Sequence, residues 1–225
     1  MLLLLGGADR GIGIDLEQVA SEDIPAAVQG LLGVANKAWA GAYPLLKASR
    51  GDIDRRIAGF DTIKLDAGDP TGIPSERLEF RSISATETEL DANSVDFLYS
   101  NSFLEHVPAP DDVAREMARV VRDGGFAYHQ IDGTDHRHYA NGDLHPLEFL
   151  SETSSEPILF GCNRIRPADF SPIFEKHGFE VRKTMVNRRI ELDEARIASF
   201  VPEFREKPKE TLEVVGMKFF LRRRR

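Results

Sequence analysis

Imidazole and carboxylate side chains are concentrated between positions 129 and 145. Such groups can orient a reacting molecule, or take a proton from it, when they lie within hydrogen-bond reach. General acid-base chemistry or substrate positioning is therefore one function that this part of the chain could perform. The residues concerned are His129, Asp132, Asp135, His136, His138, Asp143 and His145.

The same group of residues could bind a metal ion, because imidazole and carboxylate donors both ligate zinc and similar cations. Its spacing, however, matches no known metal-binding motif. A loop that contains glycine, aspartate and asparagine often carries such residues for turn capping or solvation. We therefore expect no metal ion.

Three other side chains could do chemistry but are expected to be structural. Cys162 is the one cysteine of the chain, which excludes an internal disulfide and is typical of a reducing compartment. It has no acid, base or second cysteine at a motif spacing, so a structural thiol is the favoured interpretation. Arg164 and Arg166 could hold an anionic molecule, but a surface position is the safer interpretation.

The elements that must position these residues include a strand, a helix and a second strand. Apolar residues alternate through Val95–Ser100, which predicts a mostly buried strand. Pro110 and the two aspartates after it start a helix, and the glycine pair Gly124–Gly125 ends it. Phe126–Ile131 then predicts another strand, so the segment makes a right-handed crossover in a parallel sheet.

This segment resembles the middle of a class I S-adenosylmethionine-dependent methyltransferase, of the type 11 kind. The resemblance is carried by the strand Val95–Ser100, the Leu-Glu-His-Val sequence at Leu104–Val107, and the glycine turn at Arg119–Gly125. It implies an α/β fold with a Rossmann-like sheet that is mostly parallel and has a reversed C-terminal strand. The sixth strand, a helix and the reversed strand are expected at Phe179–Val186, Asp193–Phe200 and Val214–Leu221.

The amino terminus departs from the family pattern, which opens with a strand and a glycine-rich cofactor loop. In one alignment, Leu2–Leu5 ends a helix, Gly6–Gly7 caps it, and Gly11–Asp15 is the second strand. In the other, Leu2–Leu5 is the first strand and Gly6–Gly13 is the loop. Nine positions separate Gly6 from Asp15, too few for a loop, a helix and a strand, so the first alignment is preferred. The sheet would then be N-terminally incomplete, as in a truncated reading frame.

The resemblance implies S-adenosyl-L-methionine as the cofactor and places an acidic residue at its ribose. Asp15, at the end of the expected second strand, would accept hydrogen bonds from both ribose hydroxyls, with Leu16 beside it. The alternative is an ordinary aspartate that caps the next turn.

Four more cofactor positions follow from the resemblance. Ser84 and Ala85 stand after the third strand, Leu78–Ile83, where the family commonly has Asp-Ala-Glu. Ser84 would therefore meet the adenine amino group without the help of a charge. Asn101 and Ser102 follow the fourth strand and would border the cofactor, unless they are plain turn residues.

Methyl transfer from a sulfonium requires mainly that the acceptor be held behind the methyl group, with a base if the acceptor carries a proton. By resemblance, acceptors enter after the fifth strand, which makes Asp132 and His136 candidates for orienting or deprotonating the acceptor. His106, after the fourth strand, is the third catalytic candidate, with a structural role in its loop as the alternative.

Length and charge indicate one domain over residues 1–225, expected to be cytoplasmic. The balance of 29 Lys and Arg against 37 Asp and Glu gives a net charge of −8, which argues against a nucleic-acid partner. No apolar run reaches the length of a membrane span. Residues 222–225 are expected to be a solvated basic tail.

Residues 16–78 are expected to form an insertion or a cap over the substrate. Apolar spacing between positions 24 and 46 suits an amphipathic helix. From position 51 to 76, frequent glycine, proline and aspartate predict loops, with one short strand at Thr62–Leu65.

The sequence thus predicts an enzyme that transfers a methyl group from S-adenosylmethionine to an unidentified small-molecule acceptor. A non-catalytic methyltransferase-like binding or scaffold module is one alternative, favoured by the missing glycine loop and by Ser84. A dehydrogenase of related topology is another, weakened by the lack of a complete dinucleotide glycine fingerprint.

Overall fold

The computed structural model describes residues 8–17, 50–72 and 76–225. The chain forms two compact units, residues 1–88 and residues 89–225. The described residues of each unit contain one β-sheet, with two strands in the first unit and four in the second. The single domain predicted over residues 1–225 stays a prediction, as does the cap formed by residues 16–78.

The first unit is built around two parallel strands, β1 and β2. They pair in register from Gly11 with Leu78 to Asp15 with Ser82. Every residue of both strands is at least partly exposed, so this pair buries no core of its own. The elements are β1 (Gly11–Asp15), helix α1 (Arg50–Ile57), helix α2 (Thr62–Asp66), a 3₁₀ turn (Pro70–Gly72) and β2 (Leu78–Ser82).

Two predictions for the first unit are confirmed and two are wrong. The expected second and third strands are β1 and β2. Thr62–Leu65 is a helix rather than a strand, because the carboxylate of Asp61 accepts the Lys64 N–H at 3.1 Å and caps a helical turn. The loops expected from position 51 also include α1. The helix expected between positions 24 and 46, and the termination at Gly6–Gly7, lie outside the described residues.

The second unit is a mixed sheet with the strand order β3-β4-β6-β5. Strand β3 is parallel to β4, whereas β6 is antiparallel to both β4 and β5. The predicted reversed C-terminal strand is therefore confirmed. The elements are β3 (Val95–Asn101), α3 (Pro110–Val120), β4 (Val121–Asp132), α4 (Arg137–Ala140), α5 (Phe170–Lys176), β5 (Phe179–Arg189), α6 (Glu194–Ser199), α7 (Pro202–Arg205), α8 (Lys209–Leu212) and β6 (Val214–Arg223), with 3₁₀ turns at Leu104–His106, Glu148–Ser151 and Pro167–Asp169.

Helix α3 joins the two parallel strands and begins in the way its sequence predicts. Pro110 occupies the first turn with two aspartates, which suit the positive end of the helix dipole. Val113 and Met117 are buried against the sheet side of the unit. Gly124 has a φ of +71°, and a side chain at Gly125 would come within 2.9 Å of the Arg122 carbonyl. The helix nevertheless ends at Val120, so the prediction that the glycine pair ends it is wrong. The two glycines lie inside β4, where the pairing with β3 is irregular and the positive φ favours glycine.

The four-stranded sheet has one buried face and one exposed aromatic face. On the buried face, Phe219 meets Phe174 of α5 edge to face, at 5.3 Å between ring centroids. On the other face, Tyr99 stacks on Tyr128 at 5.5 Å, and Phe220 is 41% exposed. Apolar burial is thus concentrated on the side of the sheet that carries the helices.

A second apolar cluster includes buried residues from the loop that follows α4. These residues pack beneath turns that carry several of the polar residues described below. Its buried members are Leu147, Phe149, Leu150, Cys162, Leu192, Phe200, Phe204, Leu212 and Val215. Over the described ranges, no helix has both the length and the apolar character needed to cross a bilayer.

Candidate active site

The carboxyl ends of the parallel strands β3 and β4 bring two loops together. The Ser102 N–H donates to the Gln130 carbonyl at 2.9 Å, which ties the end of β3 to β4. The 3₁₀ turn after β3 carries His106, and the loop after β4 carries His136. Their rings meet edge to face with centroids 4.7 Å apart. Two of the three predicted catalytic residues are therefore neighbours, as expected for loops at the same edge of a parallel sheet.

Asp132, the third predicted catalytic residue, is held by a network of donors. One carboxylate oxygen accepts the Thr134 hydroxyl at 2.7 Å and the Arg188 guanidinium at 2.5 Å. The other accepts the Tyr139 hydroxyl and lies 4.0 Å from His136 Nε2, beyond hydrogen-bond range. A carboxylate with this many donors is suited to orienting its neighbours rather than to taking a proton.

His136 has an unpaired nitrogen in a partly dry environment. Its Nε2 is buried and has no hydrogen-bond partner among the residues that the structure describes. Burial lowers the pKa of His136 below its usual value, and the neighbouring His106 lowers it further. The neutral imidazole, which keeps a lone pair on one nitrogen, is therefore favoured near neutral pH.

Glu105 is a site residue that the sequence interpretation missed. Its side chain is buried, and one oxygen accepts the Asp132 N–H at 3.0 Å. Burial raises the pKa of Glu105 to about 7, so its charge changes near neutral pH. The signal was present in the Leu-Glu-His-Val sequence, where the glutamate precedes His106 directly.

The segment from Leu159 to Asn163 closes the site from a third direction. The His106 Nδ1 lies 2.7 Å from the Gly161 carbonyl, and the Asn163 amide donates to the Leu104 carbonyl at 2.7 Å. Cys162 is buried there, and burial raises the pKa of its thiol to about 12. The His136 backbone N–H donates toward this sulfur and opposes that rise.

Most of the other acidic and basic residues between positions 129 and 145 have structural partners. His129 lies in the core, where its Nδ1 is 2.7 Å from the Ser100 hydroxyl. Asp135 is buried, pairs with Arg137 and accepts the Phe149 N–H at 3.0 Å. His138 Nδ1 lies 2.6 Å from the Leu144 carbonyl, to which it must donate. The group of residues noted in the sequence therefore divides into site residues and loop supports.

The surface position expected for Arg164 and Arg166 is wrong. Arg166 is fully buried and donates to the carbonyls of Gly133 and Val214, at 2.7 and 3.0 Å. Arg164 is also buried and donates to the Glu152 carbonyl at 2.8 Å. Both guanidinium groups satisfy backbone acceptors that would otherwise be unpaired, so they hold the loops rather than a ligand.

The cofactor residues predicted in the first unit are engaged in local turns. Asp15 Oδ1 accepts the Glu17 N–H at 3.2 Å, and the exposed Leu16 accepts the Ser82 hydroxyl through its carbonyl at 2.9 Å. The Ser84 hydroxyl lies 2.7 Å from that of Thr86 and accepts its N–H at 3.2 Å. Asp15 thus caps a turn through its Oδ1, as the alternative interpretation predicts. Its Oδ2 takes no part in that hydrogen bond.

The remaining predicted cofactor positions lie in two separate turns. Ala85 is half-buried in the turn after β2. Asn101 is exposed and ends β3, beside Gln130 of β4. Ser102 follows with a φ of +48°, a left-handed conformation that is uncommon for a residue with a side chain. Such backbone conformations are frequent at binding sites.

Residues 55–129 match a family model described as a methyltransferase domain, of type 11. The match begins in α1 and ends in β4, so it includes β2, β3 and α3. No curated protein has a sequence that matches this chain.

Solved structures give two comparisons over nearly the whole chain. An S-adenosylmethionine-dependent methyltransferase from Methanosarcina mazei has 15% identity, covers 99% of this chain and 86% of its own, and gives a TM-score of 0.49. Another from Mesorhizobium loti has 15% identity, covers 96% of this chain and 82% of its own, and gives a TM-score of 0.46.

The four-stranded sheet has the reversed C-terminal strand that the resemblance to a class I methyltransferase implies. Residues 55–129 match the methyltransferase domain of type 11, and the α/β fold agrees with that match.

Proposed function

We propose that this protein transfers a methyl group from S-adenosylmethionine to a small-molecule acceptor. The observation that carries the proposal is the methyltransferase match over residues 55–129, which ends in the strand whose carboxyl end holds the clustered polar residues. In open α/β sheets, ligands bind outside the carboxyl ends of the strands. A cytoplasmic location is part of the proposal and rests on the single cysteine.

We assign contacts with the cofactor to residues at, or just after, the ends of β1, β2 and β3. Asp15 ends a parallel strand and has one carboxylate oxygen outside its turn, which fits a ribose hydroxyl donor. Leu16, Ser84 and Ala85 would contact the adenosine part of the cofactor. Asn101 and Ser102 would border its methionine part. When bound, S-adenosylmethionine supplies the electrophilic methyl group.

The acceptor is assigned to the polar side chains after β3 and β4. Asp132, fixed by Arg188 and Tyr139, would orient the acceptor or its neighbours. His106 and His136, whose rings meet edge to face, would lie beside the acceptor. Since methyl transfer depends chiefly on alignment, these groups contribute mainly by holding the acceptor in line and excluding water.

Binding of S-adenosylhomocysteine, measured by calorimetry, tests the proposal. The wild-type chain is expected to bind one equivalent. Asp15→Asn should weaken binding by about 10- to 100-fold, the equivalent of a charged hydrogen bond worth about 1.5–3 kcal/mol. Glu17→Gln is the matched control, since it removes a neighbouring carboxylate and should leave the affinity unchanged. Absence of binding by a folded chain would contradict the proposal.

A non-catalytic methyltransferase-like module is the second candidate. It is favoured by one observation: the Ser84 hydroxyl is engaged in its own turn. This candidate predicts a folded protein that binds neither S-adenosylmethionine nor S-adenosylhomocysteine. The same calorimetric titration therefore separates the two functions.

A further inference from the structure

Three metal-ligating side chains converge in the second unit. One ring nitrogen of His106, one ring nitrogen of His136 and the sulfur of Cys162 all lie within 4.8 Å of one another. The three residues come from three different segments: the turn after β3, the loop after β4, and the turn at Leu159–Cys162. Two imidazoles and a thiol in one place form a donor set typical of zinc and related cations.

The spacing of these atoms is close to that of a metal site. With Zn–N bonds of about 2.0 Å and a Zn–S bond of about 2.3 Å, tetrahedral ligand atoms lie roughly 3.3–3.7 Å apart. The widest separation of 4.8 Å therefore needs to shrink by about 1 Å. His106 is exposed and sits on a short turn, so its ring can make this adjustment without disturbing a core.

Hydrogen bonding fixes which nitrogen of His106 could bind a metal. Its Nδ1 lies 2.7 Å from the Gly161 carbonyl, and a carbonyl oxygen can only accept. Nδ1 must therefore carry the proton, which leaves the lone pair on Nε2. A histidine that donates its other ring N–H to a backbone carbonyl is the usual arrangement for a metal ligand.

The other two donors have no stronger interaction to give up. His136 Nε2 is buried and lacks a hydrogen-bond partner within residues 8–17, 50–72 and 76–225. Leaving such an atom unpaired is costly, and a cation would satisfy it. The Cys162 sulfur accepts the His136 backbone N–H, a weak hydrogen bond that a metal–sulfur bond can replace.

The charged neighbours on balance favour a cation. Glu105, which directly precedes His106, is buried. Asp132 Oδ2 lies 4.0 Å from His136 Nε2. Arg188 opposes them but is paired with Asp132 at 2.5 Å. Asp135, which pairs with Arg137, is a third carboxyl group that acts electrostatically on Cys162.

We propose that His106, His136 and Cys162 bind a divalent metal ion of the Zn²⁺ class. Three protein ligands leave a fourth position open, as in catalytic rather than purely structural zinc sites. The proposal of binding is independent of methyl transfer. If the proposed function also holds, a bound ion would supply Lewis acidity toward a hydroxyl or thiol acceptor, which lowers the acceptor's pKa.

Titration of the metal-free wild-type chain with Co²⁺ tests this site directly. One equivalent should bind with visible bands of a tetrahedral ion and a thiolate-to-cobalt charge-transfer band in the near ultraviolet. Because the chain has a single cysteine, that band identifies Cys162 as the ligand. Zn²⁺ should then displace Co²⁺ and abolish both sets of bands.

Variants establish which residues bind the ion. Cys162→Ser should abolish the charge-transfer band. His106→Gln, at an exposed position, removes a proposed ligand and should weaken Zn²⁺ binding by more than about 100-fold. Loss of a ligand's hydrogen-bond partner alone typically weakens metal binding by roughly 10- to 100-fold. His177→Gln, a histidine at the end of α5 outside this cluster, is the control and should bind as the wild type does.

Two results would overturn the proposal: a folded wild-type chain that binds no Co²⁺ or Zn²⁺, or a His106→Gln variant with wild-type affinity and spectrum. Circular dichroism of each variant shows that it is folded. S-adenosylhomocysteine binding, measured on the same samples, tests the two proposals separately. Metal binding without cofactor binding would contradict only the proposed methyl transfer. Cofactor binding without metal binding would contradict only the proposed metal site.

Discussion

The two sheets of this protein differ in how much they bury. Strands β1 and β2 pair in good register, yet all of their residues are at least partly exposed. In the four-stranded sheet, β3 is likewise at least partly exposed at every residue. Strands β4 and β6, however, contain buried side chains, of which His129 and Phe219 pack against Phe174 of helix α5. Hydrogen-bonded pairing alone stabilises a two-stranded sheet only marginally in water, because a stable sheet also needs a buried apolar face. We therefore expect the buried side chains of β4 and β6 to contribute more to stability than the pairing of β1 with β2.

The largest expected effect separates the two faces of the four-stranded sheet. Phe219→Ala removes a fully buried ring and should lower the free energy of unfolding by about 3–5 kcal/mol. Phe220→Ala, one residue on and on the exposed face, should cost far less. Urea denaturation followed by circular dichroism measures both. Equal losses would show that the aromatic face is buried in solution.

The second prediction concerns the pH dependence of the same buried core. Burial lowers the pKa of His129 to about 3. Below pH 6.5 the unfolded chain takes up a proton that the native state refuses, so stability falls with falling pH, by up to about 1.4 kcal/mol per pH unit. His129→Gln should flatten this slope between pH 6.5 and 4, whatever its effect at pH 8. An unchanged slope would mean that His129 is not the group responsible.

A third prediction compares equivalent helix caps in the two units. Asp193 caps α6 by accepting the Arg196 N–H at 2.7 Å, and Asp61 caps α2 in the same way. Asp193→Ala should lower the free energy of unfolding of the second unit by about 1 kcal/mol. Asp61→Ala should instead raise hydrogen exchange locally in α2. Global destabilisation by Asp61→Ala would show that the first unit contributes more to the fold than its burial suggests.

The smallest effect is expected at Phe80 of β2. Its ring lies over Gly13, where a side chain would come within 2.6 Å, but the ring is 61% exposed. Phe80→Ala should change the free energy of unfolding by less than about 0.5 kcal/mol, as at an ordinary surface position. A loss like that of Phe219→Ala would contradict the contrast between the sheets.

Elements with strong periodicity or strong end signals could be predicted from the sequence. The apolar alternation through Val95–Ser100 and the proline before α3 placed the strand and the start of the helix correctly. The burial predicted for that strand is wrong, because Phe97 and Tyr99 are exposed. The short segment Thr62–Leu65 could not be assigned, because four residues do not distinguish a strand from a helical turn. Its cap at Asp61 decided the outcome.

The site could be predicted only in part. His106, Asp132 and His136 were found because each follows a strand that ends at the same sheet edge. Arg188 and Cys162 were missed as site residues, since no local spacing connects them with those three. Glu105 was missed although it directly precedes His106, because its burial depends on contacts with distant segments. The burial of Arg164 and Arg166 was missed for the same reason, because their acceptors are backbone carbonyls from other segments.

The sequence by itself determined the methyltransferase-like order of strands and helices, because apolar period, proline and glycine act over a few neighbouring residues. The tertiary structure alone decided that His106, His136 and Cys162 meet. Their convergence depends on the parallel pairing of β3 with β4 and on the turn held by Asn163. Those are contacts between distant segments, and no pattern along the chain encodes them.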